Sequence, residues 1–213
     1  MRDSINMPIE RLGFDRRMTK EEINSLPISK YDGKIMVVRT EDGLDLALDE
    51  LREEKFLGFD TETRPNFKKG QSNLPAIIQL AAEETVYIFQ LQYLKFPGKL
   101  RGIFSSKEIV KAGVAIDNDL LQLQRLGKFD EGGFVGLARI AKIAGIKNHG
   151  LRGLAAVLLG FRISKGAQRS NWGSKDLSNK QISYAATDAW VGREIFLRMK
   201  EMGVMSRDLL FDD

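Results

Sequence analysis

The spacing of hydrophobic residues divides the chain into an earlier part rich in strands and a later part rich in helices. Short runs of β-branched, aromatic and other apolar residues predict five β-strands. These runs cover residues 34–39, 56–60, 76–82, 85–91 and 109–116. Only Glu83 and Glu84 separate the third run from the fourth, and this short polar break is typical of a β-hairpin.

Apolar residues at helical spacing predict helices over residues 44–55, 137–144, 151–159 and 178–202, and a further helical pattern begins near Leu120. Two capping boxes support these boundaries. Thr19 with Glu22 predicts a short helix that ends near residue 26, and Ser178 with Gln181 predicts the start of the last helix. In the 44–55 helix we expect four leucines to face inward: Leu44, Leu46, Leu48 and Leu51.

Early strands followed by helices predict an α/β fold, in which a mixed β-sheet is flanked by α-helices. The length of 213 residues fits a single domain. We expect an N-terminal arm and short helix over residues 1–30, one main domain over residues 31–202, and a C-terminal tail over residues 203–213. No targeting segment or long apolar run is visible. We therefore expect an intracellular, cytoplasmic monomer, or a nucleoid-associated one in a bacterium, that has no membrane partner.

Composition narrows the chemistry that this domain can perform. The chain has no cysteine, which excludes disulfides, thiolate metal sites and cysteine nucleophiles. Its one histidine, His149, excludes a site with several histidine ligands, and we expect it to be a polar surface residue. Residues 147–180 contain seven basic residues and one acidic residue, a net charge of +6 in a chain of net charge +4. This segment is either a solvated helical face or a surface for a polyanion such as nucleic acid.

Two pairs of carboxylates lie at the ends of predicted strands. Asp60 and Glu62 are two residues apart on an extended chain, so they share one face. Two carboxylates beside an apolar core are costly unless a cation neutralises them or one is protonated; the alternative is that they cap a turn or pair with Lys or Arg. Asp117 and Asp119 follow the 109–116 strand. One of them is expected to cap the helix near Leu120, and their spacing alone does not distinguish them.

A third motif lies inside the last predicted helix. Tyr184 and Asp188 are four residues apart, so they share one helix face. The alanines around them are small enough to let another element approach closely. Carboxylates from two strand ends and one helix are ligands that hard divalent cations prefer. A pair of such ions can activate water for phosphodiester cleavage, and a nearby tyrosine hydroxyl could orient or deprotonate that water.

These motifs, in this order, resemble the DEDD (DnaQ-like) superfamily of 3′–5′ exonucleases, which has the ribonuclease H-like fold. The resemblance is to the tyrosine subclass, in the branch that contains the Werner-syndrome exonuclease domain and ribonuclease D. It covers residues 34–202 and is carried by the segments GFDTET, KAGVAIDNDL, LRGLAAVLLG, RSNWGSKDLS and YAATDAWVGREIF. The histidine subclass would carry histidine at Ser183, five residues before the last aspartate. The short tail after Met202 favours a stand-alone nuclease over a ribonuclease D, which carries further helical domains.

The resemblance implies two divalent metal ions, Mg²⁺ or Mn²⁺, and no nucleotide cofactor. The implied metal ligands are Asp60, Glu62, Asp119 and Asp188, with Tyr184 positioning the nucleophilic water. Asp119 would act on the second metal, often through water, which leaves Asp117 a structural role. The implied reaction is hydrolysis of a nucleic acid from its 3′ end to 5′-nucleotides, with DNA as the expected substrate. The alternatives are RNA 3′-end trimming and a nucleic-acid-binding module without useful catalysis.

Five further residues are candidates for nucleic-acid contacts: Arg64, Phe67, Arg169, Trp172 and Lys175. Arg64 and Phe67 occupy the stretch where some members of the superfamily place a wedge against the terminal base. Trp172 could offer a stacking platform or could pack under a loop. Arg169 and Lys175 flank it and could contact phosphate or could simply be solvated.

Overall fold

The computed structural model describes residues 14–65 and 73–205. Within these ranges, six strands form one mixed sheet in the spatial order β1-β4-β3-β2-β5-β6. Strands β2, β3 and β4 pair antiparallel, whereas the pairs β1–β4, β2–β5 and β5–β6 are parallel. The strands are β1 (Lys34–Val38), β2 (Phe56–Thr63), β3 (Pro75–Ala81), β4 (Thr85–Gln90), β5 (Val110–Gly113) and β6 (Phe134–Gly136).

Helices cover both faces of this sheet. They are α1 (Lys20–Ser25), α2 (Glu41–Glu53), α3 (Leu91–Leu94), α4 (Gly98–Ser105), α5 (Ile116–Leu126), α6 (Leu137–Ile143), α7 (Leu151–Leu154) and α8 (Asn179–Glu201). A π-helical turn, Ala155–Leu159, continues α7. In the part of the chain that the structure describes, every helix is too short or too polar to span a lipid bilayer.

The alternation of side chains along β2 separates two cores. Leu57 and Phe59 face the core that includes α2, α4 and α5. The opposite face of the sheet packs against α8, which contributes Ala185 and Ala189 near its start and Phe196 near its end. The result is a three-layer arrangement of helices, sheet and helices, which confirms the predicted α/β class.

All five predicted strands are present, and the predicted 76–82 and 85–91 hairpin is confirmed as β3 and β4. The sequence prediction did not include β6, α3 or α4, and β6 and α3 are only three and four residues long. One inward-facing residue was wrong: Leu46 is 64% exposed, whereas Leu44, Leu48 and Leu51 are fully buried. Leu46 lies on the solvent side of α2 because Ala47 takes the buried position instead.

The segment before β1 is attached to the rest of the domain. Thr19 and Glu22 form the predicted capping box at the start of α1. The backbone of Met18 both donates to and accepts from the side-chain amide of Asn148, at 2.9 and 3.2 Å. Ile28 forms a parallel bridge with Arg162. Residues 14–30 therefore have a fixed course along the helical side of the molecule.

Candidate active site

Strand β2, an inner strand of the sheet, carries two carboxylates near its carboxyl end, on the face beside α8. Asp60 and Glu62 lie near the carboxyl end of this strand, where the pairing with β3 shifts register between Glu62 and Thr63. Both side chains share the face of the sheet that packs against α8, as their spacing of two predicts.

Close packing between β2 and α8 brings the third carboxylate to the same place. A Cβ atom at Gly58 would lie 1.9 Å from the carbonyl oxygen of Ala189, so only glycine allows the two backbones to approach this closely. Ala185 and Ala189 on the same helix are fully buried, which confirms the expected role of the small residues. Asp188 is 7% exposed and projects from α8 into the contact.

Asp60, Glu62 and Asp188 form the acidic cluster of the site. Each offers a carboxylate oxygen, and these three oxygens all lie within 4.8 Å of one another. One oxygen of Asp188, Oδ1, is buried and has no hydrogen-bond partner among the described residues. Buried polar atoms without a partner are rare and costly. Together with a donor set made only of oxygen atoms, this atom fits a hard divalent cation.

Asp119 approaches the cluster from the other face of β2. Its Oδ1 accepts a hydrogen bond of 2.8 Å from the hydroxyl of Thr61, whose side chain points away from α8. Asp117 is exposed, whereas Asp119 is half-buried. The predicted cap is wrong: α5 begins at Ile116, its N-cap is Ala115, and that position makes no side-chain capping bond. Both aspartates lie in the first helical turn of α5. Positions two residues apart lie on roughly opposite sides of a helix, so only Asp119 faces the site.

Tyr184 lies one turn before Asp188 on α8, and the capping box at Ser178 fixes the start of this helix. The tyrosine ring packs against Trp172 with a centroid separation of 5.9 Å. Burial, followed by the nearby charge of Asp188, raises the pKa of the Tyr184 hydroxyl above its ordinary value. The hydroxyl therefore stays protonated at neutral pH and can both donate and accept hydrogen bonds.

Burial raises the affinity of the site's carboxylates for protons, and the charges of neighbouring carboxylates add to this effect at Asp60 and Glu62. Burial, then the charge of Asp188, raises the pKa of Glu62 to about 9. Burial raises the pKa of Asp188 to about 7 against the opposing hydrogen bond from Tyr184, and raises the pKa of Asp119 to about 6 against the bond from Thr61. Burial, then the charges of Asp188, Asp119 and Glu62, raises the pKa of Asp60 well above its usual range.

These shifts predict that the metal-free domain becomes less stable as pH rises. An acid whose pKa is raised by folding stabilises the fold fully below its unfolded pKa, and this contribution is lost as pH rises through the folded pKa. For Glu62 the window runs from 4.5 to about 9, and for Asp188 from 3.8 to about 7. Thermal melts in EDTA should therefore show Tm falling between these limits.

The variant Glu62→Gln tests the source of this slope. It removes a titrating group without changing the side-chain length, so its Tm should fall less steeply with pH than that of the wild type. Glu53→Gln, an exposed glutamate on α2, is the matched control and should keep the wild-type slope. If the Tm of Glu62→Gln fell with pH as steeply as that of the wild type, Glu62 would not be a source of the pH dependence.

The candidate nucleic-acid contacts lie in different environments. Arg64 is exposed and donates a 3.2 Å hydrogen bond to the carbonyl of Gly173, and the side chains of Arg169 and Lys175 are also exposed. Trp172 is only 1% exposed, so it cannot present a face to a base in this structure. Trp172 is instead a packing residue, because it is buried and its ring packs against that of Tyr184. Phe67 lies outside the described residues.

Sequence reasoning missed two residues that shape the site. Thr61 holds Asp119, and Gly58 lets α8 approach β2. A glycine inside the apolar run FLGFD is a recognisable signal, because glycine in a strand interior often marks a close approach of another backbone. Thr61 gave no such signal, because its partner lies 58 positions away in the chain.

The family model of the 3′–5′ exonucleases matches residues 35–203. The chain is 32% identical over 165 residues to DNA polymerase I of Aquifex aeolicus. It is 34% identical over 153 residues to the mouse bifunctional 3′–5′ exonuclease/ATP-dependent helicase WRN. The chain therefore belongs to the 3′–5′ exonuclease family, as the resemblance of its motifs predicts.

A solved structure supports the fold. RNase D of Escherichia coli, an exoribonuclease involved in structured RNA processing, matches with a TM-score of 0.71 and 19% identity, over 83% of this chain and 48% of that one. The fold is thus the predicted ribonuclease H-like exonuclease fold.

The chain spans only part of the two relatives that it matches in sequence. The matched parts cover 78% of this chain but only 27% of the Aquifex polymerase, and 69% of this chain but only 11% of the mouse protein.

Proposed function

We propose that the chain is a metal-dependent 3′–5′ exonuclease that removes nucleotides one at a time from the 3′ end of a nucleic-acid strand and releases 5′-nucleotides. The observation that carries this proposal is the group of three carboxylate oxygens, from Asp60, Glu62 and Asp188, within 4.8 Å of one another. Membership of the 3′–5′ exonuclease family supplies the reaction to which this group is suited.

The proposed cofactor is a pair of divalent cations, Mg²⁺ or Mn²⁺. Asp60, Glu62 and Asp188 would hold them directly, and Asp119 would contribute from the opposite side of β2. When bound, such ions activate a water molecule and stabilise the leaving oxygen of the phosphodiester. The charge of the cations would also keep these acids ionised, although burial raises the pKa of each of them.

Tyr184 is proposed to orient the attacking water. Because its pKa is raised by burial and by Asp188, its hydroxyl remains protonated in the working pH range and is poorly suited to act as a base. It can accept or donate a hydrogen bond at a fixed position, since Trp172 packs against its ring. Such positioning lowers the entropic part of the barrier.

DNA is the proposed substrate, and the similarity to a DNA polymerase I supports it. RNA trimming remains the alternative because the fold matches that of an exoribonuclease. A protein distinguishes the two by its contacts to the 2′-hydroxyl, so digestion of DNA and RNA strands of identical sequence decides between them. We further propose an intracellular, cytoplasmic or nucleoid-associated monomer without a nucleotide cofactor, with the exonuclease domain over residues 31–202 and phosphate contacts from Arg64, Arg169 and Lys175.

The proposed activity is tested with end-labelled single strands. With Mg²⁺ or Mn²⁺, a 5′-labelled strand should shorten stepwise while a 3′-labelled strand releases its label at once as a 5′-mononucleotide. EDTA should stop both reactions. Loss of label first from the 5′ end, cleavage inside the strand, or undiminished activity in EDTA would contradict the proposal. Binding of the strand without nucleotide release with either metal would favour the non-catalytic alternative.

A further inference from the structure

A basic cavity opens beside the acidic cluster. It has a volume of about 360 Å³, and its lining includes both Tyr184 and Asp188. One wall comes from residues 148–168 on the helical side, and the facing wall comes from the segment that precedes β1. This preceding segment lies before residue 35, where the match to the exonuclease family begins.

Hydrogen bonds hold the two walls together. The side chain of Asn148 is bonded to both backbone groups of Met18, and a guanidinium nitrogen of Arg152 donates to the side-chain oxygen of Asn24. The capping box at Thr19 fixes the turn between these two ties. Lys20 lies between these two ties and Arg17 directly precedes the first of them, so both residues have a defined position at the cavity.

The charge of the cavity suits a polyanion. Arg17, Lys20, Arg152 and Lys165 line it, and Asp188 of the acidic cluster is the only acid in its described lining. Arg17 and Lys20 are exposed, and within residues 14–65 and 73–205 neither forms an ion pair with a carboxylate. The adjacent Arg16 differs, because Glu22 binds both of its terminal nitrogens. Exposed cations without carboxylate partners are available to bind backbone phosphates.

The size of the cavity limits what it can receive. Its volume of about 360 Å³ lies near the lower end of the range for small-molecule sites, roughly 300–1,000 Å³. That volume accommodates about one nucleotide unit of a strand. A single-stranded backbone that continues along the cationic wall is therefore the ligand that matches both the volume and the charge.

We propose that Arg17 and Lys20 of the N-terminal segment bind backbone phosphates of the single strand whose 3′ end lies in the acidic cluster. The subsite takes a phosphodiester backbone, either DNA or RNA, and reads charge rather than base sequence. It rests on the proposed function for the identity of the strand. It adds to the exonuclease domain a binding element from outside the family match.

Binding in EDTA tests this subsite separately from catalysis. The probe is a short 5′-fluorescent single strand, and its affinity is measured by anisotropy from about 50 to 200 mM salt. Each phosphate contact on a single strand contributes about 0.7 to the slope of log affinity against log salt. The double variant Arg17→Ala/Lys20→Ala should therefore lose about 1.4 of that slope, and its Kd should rise about 10- to 30-fold near 0.1 M salt.

The double variant Lys55→Ala/Lys128→Ala is the matched control, since it removes the same charge from exposed lysines outside the cavity lining. It should keep the wild-type slope and Kd. With metal present, Arg17→Ala/Lys20→Ala should raise the KM for the strand much more than it lowers kcat, because it does not change the acidic cluster. Equal losses of affinity in the two double variants, or no loss of affinity in Arg17→Ala/Lys20→Ala, would contradict the proposed subsite. An inactive wild type would refute the exonuclease assignment but would leave the binding comparison valid.

Discussion

The variant Asp188→Asn is expected to lose about 10³-fold or more of kcat on a single strand. The exchange preserves the shape of the side chain but removes a charge from the three carboxylates whose oxygens lie within 4.8 Å. It also replaces the buried, unpartnered oxygen with an amide that binds divalent cations more weakly. Single-turnover assays at saturating Mn²⁺ measure the loss, because they separate chemistry from product release.

Asp117→Asn is the matched control for this loss. Mn²⁺ that binds the folded site should raise the Tm of the wild type. Asp117 is an exposed aspartate on α5, so the same exchange there should leave kcat and this rise in Tm unchanged. Tyr184→Phe should lie between the two variants, with a lowered kcat and the full Mn²⁺-induced rise in Tm, since it removes only a hydroxyl. If Asp188→Asn turned over the strand at the wild-type rate, the acidic cluster would not be the active site.

Asp188→Asn should also stabilise the metal-free protein at alkaline pH. Burial raises the pKa of Asp188 to about 7, so above that pH the fold carries a charged group in an unfavourable environment. Removing the charge should raise Tm in EDTA at pH 8, where the wild type is penalised. A loss of activity combined with a gain in stability is the pattern expected of a functional residue that strains the fold.

The variant Gly58→Ala is expected to cost about 3 kcal/mol or more of unfolding free energy and to abolish most of the activity. The new methyl group would lie 1.9 Å from the carbonyl oxygen of Ala189, so α8 must move away from β2. That movement separates Asp188 from Asp60 and Glu62. Thermal melts should show Tm lower by about 10 °C, and strand degradation should be nearly lost.

Gly102→Ala is the matched control, because a Cβ atom on this α4 glycine meets no atom within 4 Å. In a helix with open space around it, alanine is favoured over glycine by about 0.5–1 kcal/mol. The control should therefore melt at or above the wild-type temperature. If Gly58→Ala melted like Gly102→Ala, the close approach of β2 and α8 would not be what assembles the site.

Local patterns were sufficient to predict the elements that carry the site. The alternation in FLGFDTET placed Asp60 and Glu62 on one face of β2. The capping box at Ser178 predicted the start of α8, and the spacing of four placed Tyr184 and Asp188 on one face of it. The meeting of strand and helix was not contained in either pattern. It depends on Gly58, whose role is visible only when the backbone of Ala189 lies against it.

Asp119 shows why the remaining details needed a three-dimensional structure. Its distinction from Asp117 depends on where α5 begins, and helix ends are determined by contacts distant in sequence as well as by local propensity. With the helix starting at Ile116, Asp119, the aspartate that the resemblance implied, faces the site, and neither aspartate is the N-cap. The sequence also did not predict that Arg17 and Lys20 line the basic cavity. Their position depends on the hydrogen bonds between Met18 and Asn148, which are 130 residues apart in the chain.

The length of α8 also has a consequence for selective inhibition. Its 23 residues span about 34 Å at 1.5 Å per residue, and they join Asp188 rigidly to the far end, where Phe196 packs on Phe56 with ring centroids 5.2 Å apart. Compounds that chelate metal at the acidic cluster address a feature common to many nucleases. A compound wedged between these two phenylalanine rings should instead tilt α8 and displace Asp188 from the acidic cluster without binding the proposed metal ions.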